Sequence, residues 1–471
     1  MNHSAEFAEA GAAGIVRNER DRVNGPYKEI RLWRGLCWTG RPATVGSLVV
    51  LMPAHLRSAL HPCTLPFSPF EVARALRGRD GFVWLDSSDD EDGRVSVLTS
   101  DPVAVHRGEA FDFHRLRPHL VGLEGGAPDG ARGHDLGLPG PGLFGTVDFN
   151  GDWCFGVYPE VLVYRHGSDQ WWESGRLSRH VLGAAGRAPA SYVPQIRFHP
   201  EWTETGYLEA VHRALGYIAD GDIYQVNLSQ PWASDWPAGS DVFGYYERLR
   251  GYSPSPQAAF LDLGGRQVAS ASPELFLRIS GRTIRTRPIK GTRPRHREVQ
   301  DDERAAYDLI TSPKEIAELI MITDLERNDL GRVCEFGSIT VPDMLRLERF
   351  QQVFHLVSTV EGTLRADVDH LGALAACLPG GSISGAPKIR ALQIIEELEP
   401  FPRGLYTGVI GWIGASGESQ FSIAIRTAIA EGDRLHFHTG AGIVADSDPR
   451  SEYAETWHKA ATLLGAAQWP R

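Results

Sequence analysis

The sequence predicts an α+β fold, on three observations. Short apolar strands punctuated by Gly and Pro recur along the chain, and amphipathic helical stretches stand among them. The two kinds of segment do not follow the strict strand–helix–strand alternation of a doubly wound sheet. The 471 residues allow up to about three ordinary domains, and 42% hydrophobic with 23% charged residues is ample material for a packed core. A net charge of −11 argues against non-specific binding to nucleic acid or anionic membranes. Five cysteines (Cys37, Cys63, Cys154, Cys334, Cys377) are scattered without a Cys-x-x-Cys pair, as expected of reduced cytoplasmic thiols rather than a disulfide frame or zinc site. No run of about 18 apolar residues predicts a membrane span, and residues 1–25 lack the apolar core of a signal peptide.

Taken in order, residues 1–25 read as a mobile tail and 26–190 as a first region. In it Gly81–Leu85 and Val95–Leu98 read as strands around an acidic tip, Ser87–Asp92. Gly-rich loops follow near 125–142, then strands at Leu143–Val147 and Glu160–Tyr164. Gly183–Pro194, low in charge and rich in Ala, Gly and Pro, reads as a linker to a second region, 196–466. There Tyr207–Ala219 places Leu208, Val211, Leu215 and Ile218 on one helical face, and Asp220-Gly221 ends the helix. Strands are expected at Ile223–Gln230, Ala258–Leu263 and Leu275–Ile279.

The stretch Arg287-Pro-Ile-Lys-Gly-Thr-Arg-Pro-Arg295 places one lysine, Lys290, between a proline that fixes φ and a glycine that permits close approach. It reads as a stiff turn in a field of arginines, whose positive charge favours the neutral, nucleophilic amine. Taken alone, the same residues read more readily as a solvated basic loop.

Two helices present carboxylates. Ser312-Pro313-Lys314-Glu315 starts one, with Ser312 as cap and Glu315 closing a capping box. Glu315 and Glu318 share a face of this helix. Glu315 serves as cap or ligand, whereas Glu318 has no capping role to explain it. Asp448-Pro449 starts the other helix, which carries Glu452, Glu455 and Lys459 along one side. Carboxylates from two helices, with no Cys/His cluster, suit a hard cation such as Mg²⁺, or else are solvated decoration.

Three further stretches are candidates for binding anions. Pro379–Lys388 is rich in glycine but has Ala386-Pro387 where a P-loop needs Lys and Ser/Thr. Gly440-Ala441-Gly442 offers either successive backbone N–H groups or a plain turn. Arg426, in an apolar strand Phe421–Ala430, suits bidentate carboxylate binding. Together these parts predict a small dianionic substrate beside a reactive lysine.

The order of these motifs resembles the chorismate-utilising enzymes, and among them component I of the aminodeoxychorismate synthases. The resemblance is dense over 221–460 and looser upstream. It rests on Gly221-Asp-Ile-Tyr-Gln-Val-Asn-Leu-Ser-Gln230, Ser272-Pro-Glu-Leu275, the Lys290 stretch, Ile322–Arg332, Pro379–Lys388, Gly440–Gly442 and Glu452-Tyr-Ala-Glu-Thr456. It implies an anthranilate synthase component I-like fold, two packed, mainly antiparallel sheets flanked by helices. It also implies Lys290 as nucleophile at C2 of chorismate, Glu274 as general acid for the C4 hydroxyl, and ammonia adding at C4. Mg²⁺ falls to Glu318 and Glu455, with Glu315 and Glu452 nearby. Arg426, Tyr406 and Gly440, Ala441 and Gly442 take a substrate carboxylate, Gly291 and Thr292 line the ring, and His355 is an active-site histidine.

Two positions sort the relatives. Anthranilate synthases of the family carry alanine in place of Lys290, and water-adding members carry a lysine in place of Gln225. Glutamine is no general base at neutral pH, so the pair Gln225 and Lys290 resembles the enzymes that aminate C4. Ammonia is then expected from a separate glutamine amidotransferase subunit. Ser253-Pro254-Ser255-Pro256 resembles only part of a tryptophan-feedback motif. Anthranilate synthase component I and a silent chorismate-binding paralogue are the alternatives.

Overall fold

The computed structural model describes residues 60–86, 95–124, 138–184, 192–350 and 352–468. The tail 1–25, the acidic tip Ser87–Asp92, Cys37 and most of the linker lie outside the described residues. Among those described, the strands form two antiparallel sheets of twelve and ten strands with helices packed on them, the expected α+β class.

The twelve-stranded sheet runs from His61–Cys63 through Gln170–Ser174, Val161–Arg165, Val95–Thr99 and Val83–Asp86. It continues through Gln257–Leu263, Arg266–Ser272, Thr427–Glu431, Arg434–Ile443 and Gln225–Asp235. The ten-stranded sheet begins at Ile289–Pro294 and passes through Val353–Thr363, Thr283–Arg287, Leu275–Ser280, Glu418–Ile423 and Val409–Gly414 to Gly142–Val147, Trp153–Tyr158 and Ala104–Gly108. Strands from both sides of residue 190 are therefore direct neighbours. Val83 pairs with Leu261, and Val147 with Val409. All the described residues fall in the one compact unit that begins at Leu48.

Between the sheets, Val83, Val97, Val163, Leu261 and Val268 of one pack with Phe144, Ile410 and Trp412 of the other. Inward-facing apolar residues from both sheets make this layer because a strand presents alternate side chains to each face. The strand Gln225–Asp235, near one end of the sheet, is buried along most of its length. Helices Glu204–Ala219 and Lys388–Leu398 contribute to the cluster that buries its Val226 and Leu228. The first of these helices buries Tyr207, Ala210, Val211 and Ala214, while Leu208, Leu215 and Ile218 lie half-buried at the edge. The expected face is thus turned by about one residue. Two alanines allow the helix to lie close to the sheet, and Tyr207 Oη donates to the Leu228 carbonyl at 3.3 Å.

Candidate active site

Lys290 lies on a bulged strand. Ile289–Pro294 pairs with Val353–Thr363, Lys290 opposite Leu356 but Thr292 opposite His355, so two steps on one strand meet one on the other. Gly291, at φ +73°, takes up the extra residue. A side chain there would press on Leu309 at 2.6 Å and on Glu315 Oε2 at 3.0 Å. The expected stiff turn is corrected to this bulge, and the expected cationic field is corrected as well. Arg287 pairs with Glu348, Arg293 with Glu315 at 3.3 Å, and Arg295 with Asp302 at 2.9 Å. The charges that interact with Lys290 are instead the carboxylates Glu274, Glu318 and Glu455.

Glu274 sits in the link between strands Arg266–Ser272 and Leu275–Ser280, buried to 6% exposure. Its N–H donates to Ser272 Oγ at 3.3 Å and its carbonyl accepts from Ile423 N–H at 3.1 Å, which fixes the backbone. Ser382 Oγ donates to its Oε1 at 2.7 Å. Burial holds the carboxyl above its ordinary range, against Ser382, Lys290, Lys459 and Arg426. Burial that disfavours the charged form is what a general acid asks of its surroundings.

Arg426 interrupts the expected strand Phe421–Ala430. Pairing stops at Ile423 and resumes at Thr427, and Arg426 is left-handed at φ +51°. Such a conformation is strained for a side-chain-bearing residue and clusters at functional sites. Loss of solvent lowers the guanidinium's proton affinity, and the carboxylate opposing that is Glu274. His355, buried behind Thr292, accepts or donates at 3.0 Å between Nδ1 and Thr292 Oγ1. Burial and the Arg426 charge push it down to about 4, so it is a neutral imidazole at pH 7.

The two carboxylate helices span Pro313–Gly331 and Pro449–Gln468, and charges from both act on one another and share Lys290 as an opposing cation. Ser312 caps the first as expected, accepting from Glu315 N–H at 3.5 Å. Glu315 does not close the capping box; its carboxylate turns to Arg293 instead. Glu318, half-buried, is raised by burial and by Glu315 and Glu455, against Lys290 and Lys314. Glu452 is buried, accepts from Ser447 Oγ at 2.6 Å, and is raised by burial and by Glu455. Burial also acts upward on Glu455, but Lys459, Lys314 and Lys290 bring it below its ordinary value. Lys459 pairs with Glu455 at 2.6 Å and Lys314 lies 3.9 Å from Glu318.

Carboxylates that repel one another across two helices suit a hard cation. Among the described residues no three His, Cys, Asp or Glu side chains gather to hold an ion. Mg²⁺ needs no such cage, since one or two carboxylates, waters and substrate complete its shell.

Gly440-Ala441-Gly442 forms no turn. All three lie in strand Arg434–Ile443, opposite Ser229, Leu228 and Asn227. The Gly440 carbonyl accepts from Lys459 Nζ at 2.8 Å, outside the ladder. Because a strand residue's N–H and C=O point the same way, the Gly440 N–H faces that side too. A side chain at Gly440 would meet Tyr406 Oη at 2.7 Å and Asn227 Oδ1 at 2.8 Å; one at Gly442 would meet Gln225 Nε2 at 2.7 Å. Tyr406 is buried and stacks on His438, and burial raises its hydroxyl's pKa. Gln225 is buried, and its Oε1 has no partner among the described residues.

The structure therefore groups Lys290, Glu274, Glu318 and Glu455 by charge, and Tyr406, Gln225 and the two glycines by contact. Sequence reasoning missed Ser382 as a partner of Glu274 and Lys459 as a partner of Gly440. Ser382 lay within a stretch noted only for its glycines, and Lys459 read as the far end of a helical ion pair.

The pattern shared by chorismate binding enzymes matches residues 145–465. Anthranilate synthase component 1 of Thermus thermophilus is 46% identical over 364 residues, 76% of each chain. Aminodeoxychorismate synthase component 1 of Bacillus subtilis is 39% identical over 335 residues, 67% of this chain and 71% of that one. The crystal structure of anthranilate synthase component I from Streptococcus pneumoniae superposes with a TM-score of 0.68 at 30% identity, covering 79% of this chain and 93% of that one. The menaquinone-specific isochorismate synthase of Escherichia coli shares the fold, with a TM-score of 0.70 at 18% identity over 88% of this chain and 94% of that one. With its two sheets, its site and these likenesses, the chain belongs to the chorismate binding enzymes.

Proposed function

We propose that this chain is component I of an aminodeoxychorismate synthase, converting chorismate and ammonia into 4-amino-4-deoxychorismate in the cytoplasm. The observation that carries the reading is Lys290, a single amine on a bulged strand, in electrostatic reach of the buried carboxyl Glu274. In the reactive state the proton is on Glu274 and none is on the attacking amine. Lys290 Nζ bonds to C2, both ring double bonds shift, and the C4–O bond breaks as Glu274 protonates the departing oxygen, releasing water. Ammonia then bonds to C4, the double bonds return, and the C2–N bond breaks to free Lys290. The fixed acid and the positioned nucleophile supply the rate by orientation and proton transfer.

Arg426, Tyr406 and the Gly440–Gly442 backbone take one carboxylate of chorismate. Gly291 and Thr292 line the ring, His355 supports Thr292 as a neutral donor or acceptor, and the uncharged Gln225 offers water no base. Glu318 and Glu455, with Glu315 and Glu452 nearby, would hold Mg²⁺, which would supply positive charge to the other carboxylate. Ammonia comes from a glutamine amidotransferase subunit, in keeping with the component 1 names of the relatives. Anthranilate synthase component I is the second reading, because several of the similar relatives carry that name.

The test is intact mass after rapid quenching of enzyme, chorismate and Mg²⁺ without ammonia. The expected result is a species heavier by chorismate less water, mapped to Lys290 and absent from Lys290→Ala. Undiminished amination of chorismate by Lys290→Ala, with no adduct on the wild type, contradicts the reading.

A further inference from the structure

Behind Glu274 lies a second buried carboxyl that the reaction as written does not use. Glu326, on helix Pro313–Gly331, is 3% exposed. Its Oε1 accepts the Ser382 N–H at 3.3 Å, and the Ser382 hydroxyl donates to Glu274 Oε1 at 2.7 Å. One turn further on, Asp329 takes the ammonium of Lys388, which also donates to the carbonyls of Pro379 at 2.8 Å and Cys377 at 3.3 Å. The segment 377–388 is thus tied to one helix at two points, and Ser382 is its side chain directed at Glu274. The fit is close, since a side chain at Gly381 would meet Leu325 at 2.7 Å and Glu326 Oε1 at 3.1 Å.

We propose that Glu326 is a positioning residue for Glu274, acting through Ser382 and carrying its own proton while the enzyme turns over. The inference rests on Glu274 as the general acid. Asp329 on the same helix, Lys388 at the start of helix Lys388–Leu398, Glu274 from the strand link and Cys377 at the end of helix His370–Cys377 are the titratable groups around it. The one amine among them is bound to Asp329, and from there its charge, with the Ser382 N–H, opposes the rise only in part. Burial and the Asp329 charge, with a contribution from Glu274, push the Glu326 carboxyl up to about 8. Once ionised, it places a negative charge beside Glu274, which raises that group's proton affinity and makes it a poorer donor.

The experiment compares Glu326→Leu, Glu326→Gln, Ser382→Ala and Glu274→Gln, following chorismate consumption with ammonium chloride and Mg²⁺ from pH 6 to 9.5. Glu326→Leu is expected to lower kcat by about 10- to 100-fold, as misplaced catalytic groups do, with KM for chorismate changed less than about twofold. Glu326→Gln, which keeps the acceptor for Ser382, restores most of that loss, and adding Ser382→Ala to Glu326→Leu costs little more. The wild type loses kcat as pH rises through about 8, and Glu326→Gln lacks that limb. Because the Gln variant is isosteric, its pH profile decides the matter even if Glu326→Leu does not fold. Wild-type kcat in Glu326→Leu, or an unchanged alkaline limb in Glu326→Gln, overturns the inference. If Glu274→Gln is inactive in that case, the general-acid reading stands without it; full turnover by Glu274→Gln removes both.

Discussion

Lys290 owes its place to the residue after it. Gly291 permits the positive φ that lets the strand take an extra step, and the bulge brings Lys290 to Glu274, Glu318 and Glu455 rather than leaving it among arginines. His355, on the partner strand, is held neutral by burial, and its linkage to stability is testable. Its folded pKa of about 4 lies below the ordinary 6.5. The unfolded chain therefore takes up a proton first as pH falls, and the contribution present above 6.5 is lost towards 4. The loss is about 1.4 kcal/mol per pH unit. In His355→Gln this term is absent, so the urea-measured stability gap between wild type and variant should shift by that slope between pH 6.5 and 5. An unchanged gap contradicts a buried neutral imidazole. The identities of Lys290, Glu274 and His355 were legible in sequence motifs. The bulge was not, because it depends on a partner strand some sixty residues away.

The helices Pro313–Gly331 and Pro449–Gln468 were legible as elements, each opening on a capping residue followed by proline. That their carboxylates act on one another was not, since nothing local links residue 318 to 455. On the proposed reading a divalent cation relieves the repulsion among Glu315, Glu318, Glu452 and Glu455, so chelator should abolish activity and Mg²⁺ restore it. Glu318→Ala should raise the Mg²⁺ needed for half-maximal activity by at least about tenfold. A variant activated at the wild-type concentration would place the ion elsewhere. The segment Phe421–Ala430 shows the opposite case, an element that read as one strand and is two. Apolar periodicity continued through Arg426, but the chain there must leave one sheet for the other, from Ile423 to Thr427, and a left-handed Arg426 makes the step.

Across the whole molecule, both sheets take strands from both halves of the chain. Val83–Asp86 adds to Gln257–Leu263, and Gly142–Val147 to Val409–Gly414. An α+β class was readable from the mixture of local patterns, but pairings this far apart were not, because no local propensity encodes them. The candidate site draws on a strand link, a bulged strand and two helices that these long-range pairings hold in one compact unit. What this assembly makes from chorismate is decided by identifying the product. Purified protein with chorismate, Mg²⁺ and ammonium chloride is expected to give 4-amino-4-deoxychorismate by mass spectrometry and no anthranilate fluorescence, with 4-aminobenzoate appearing only when a lyase is added. Anthranilate formed by the protein alone would contradict the account.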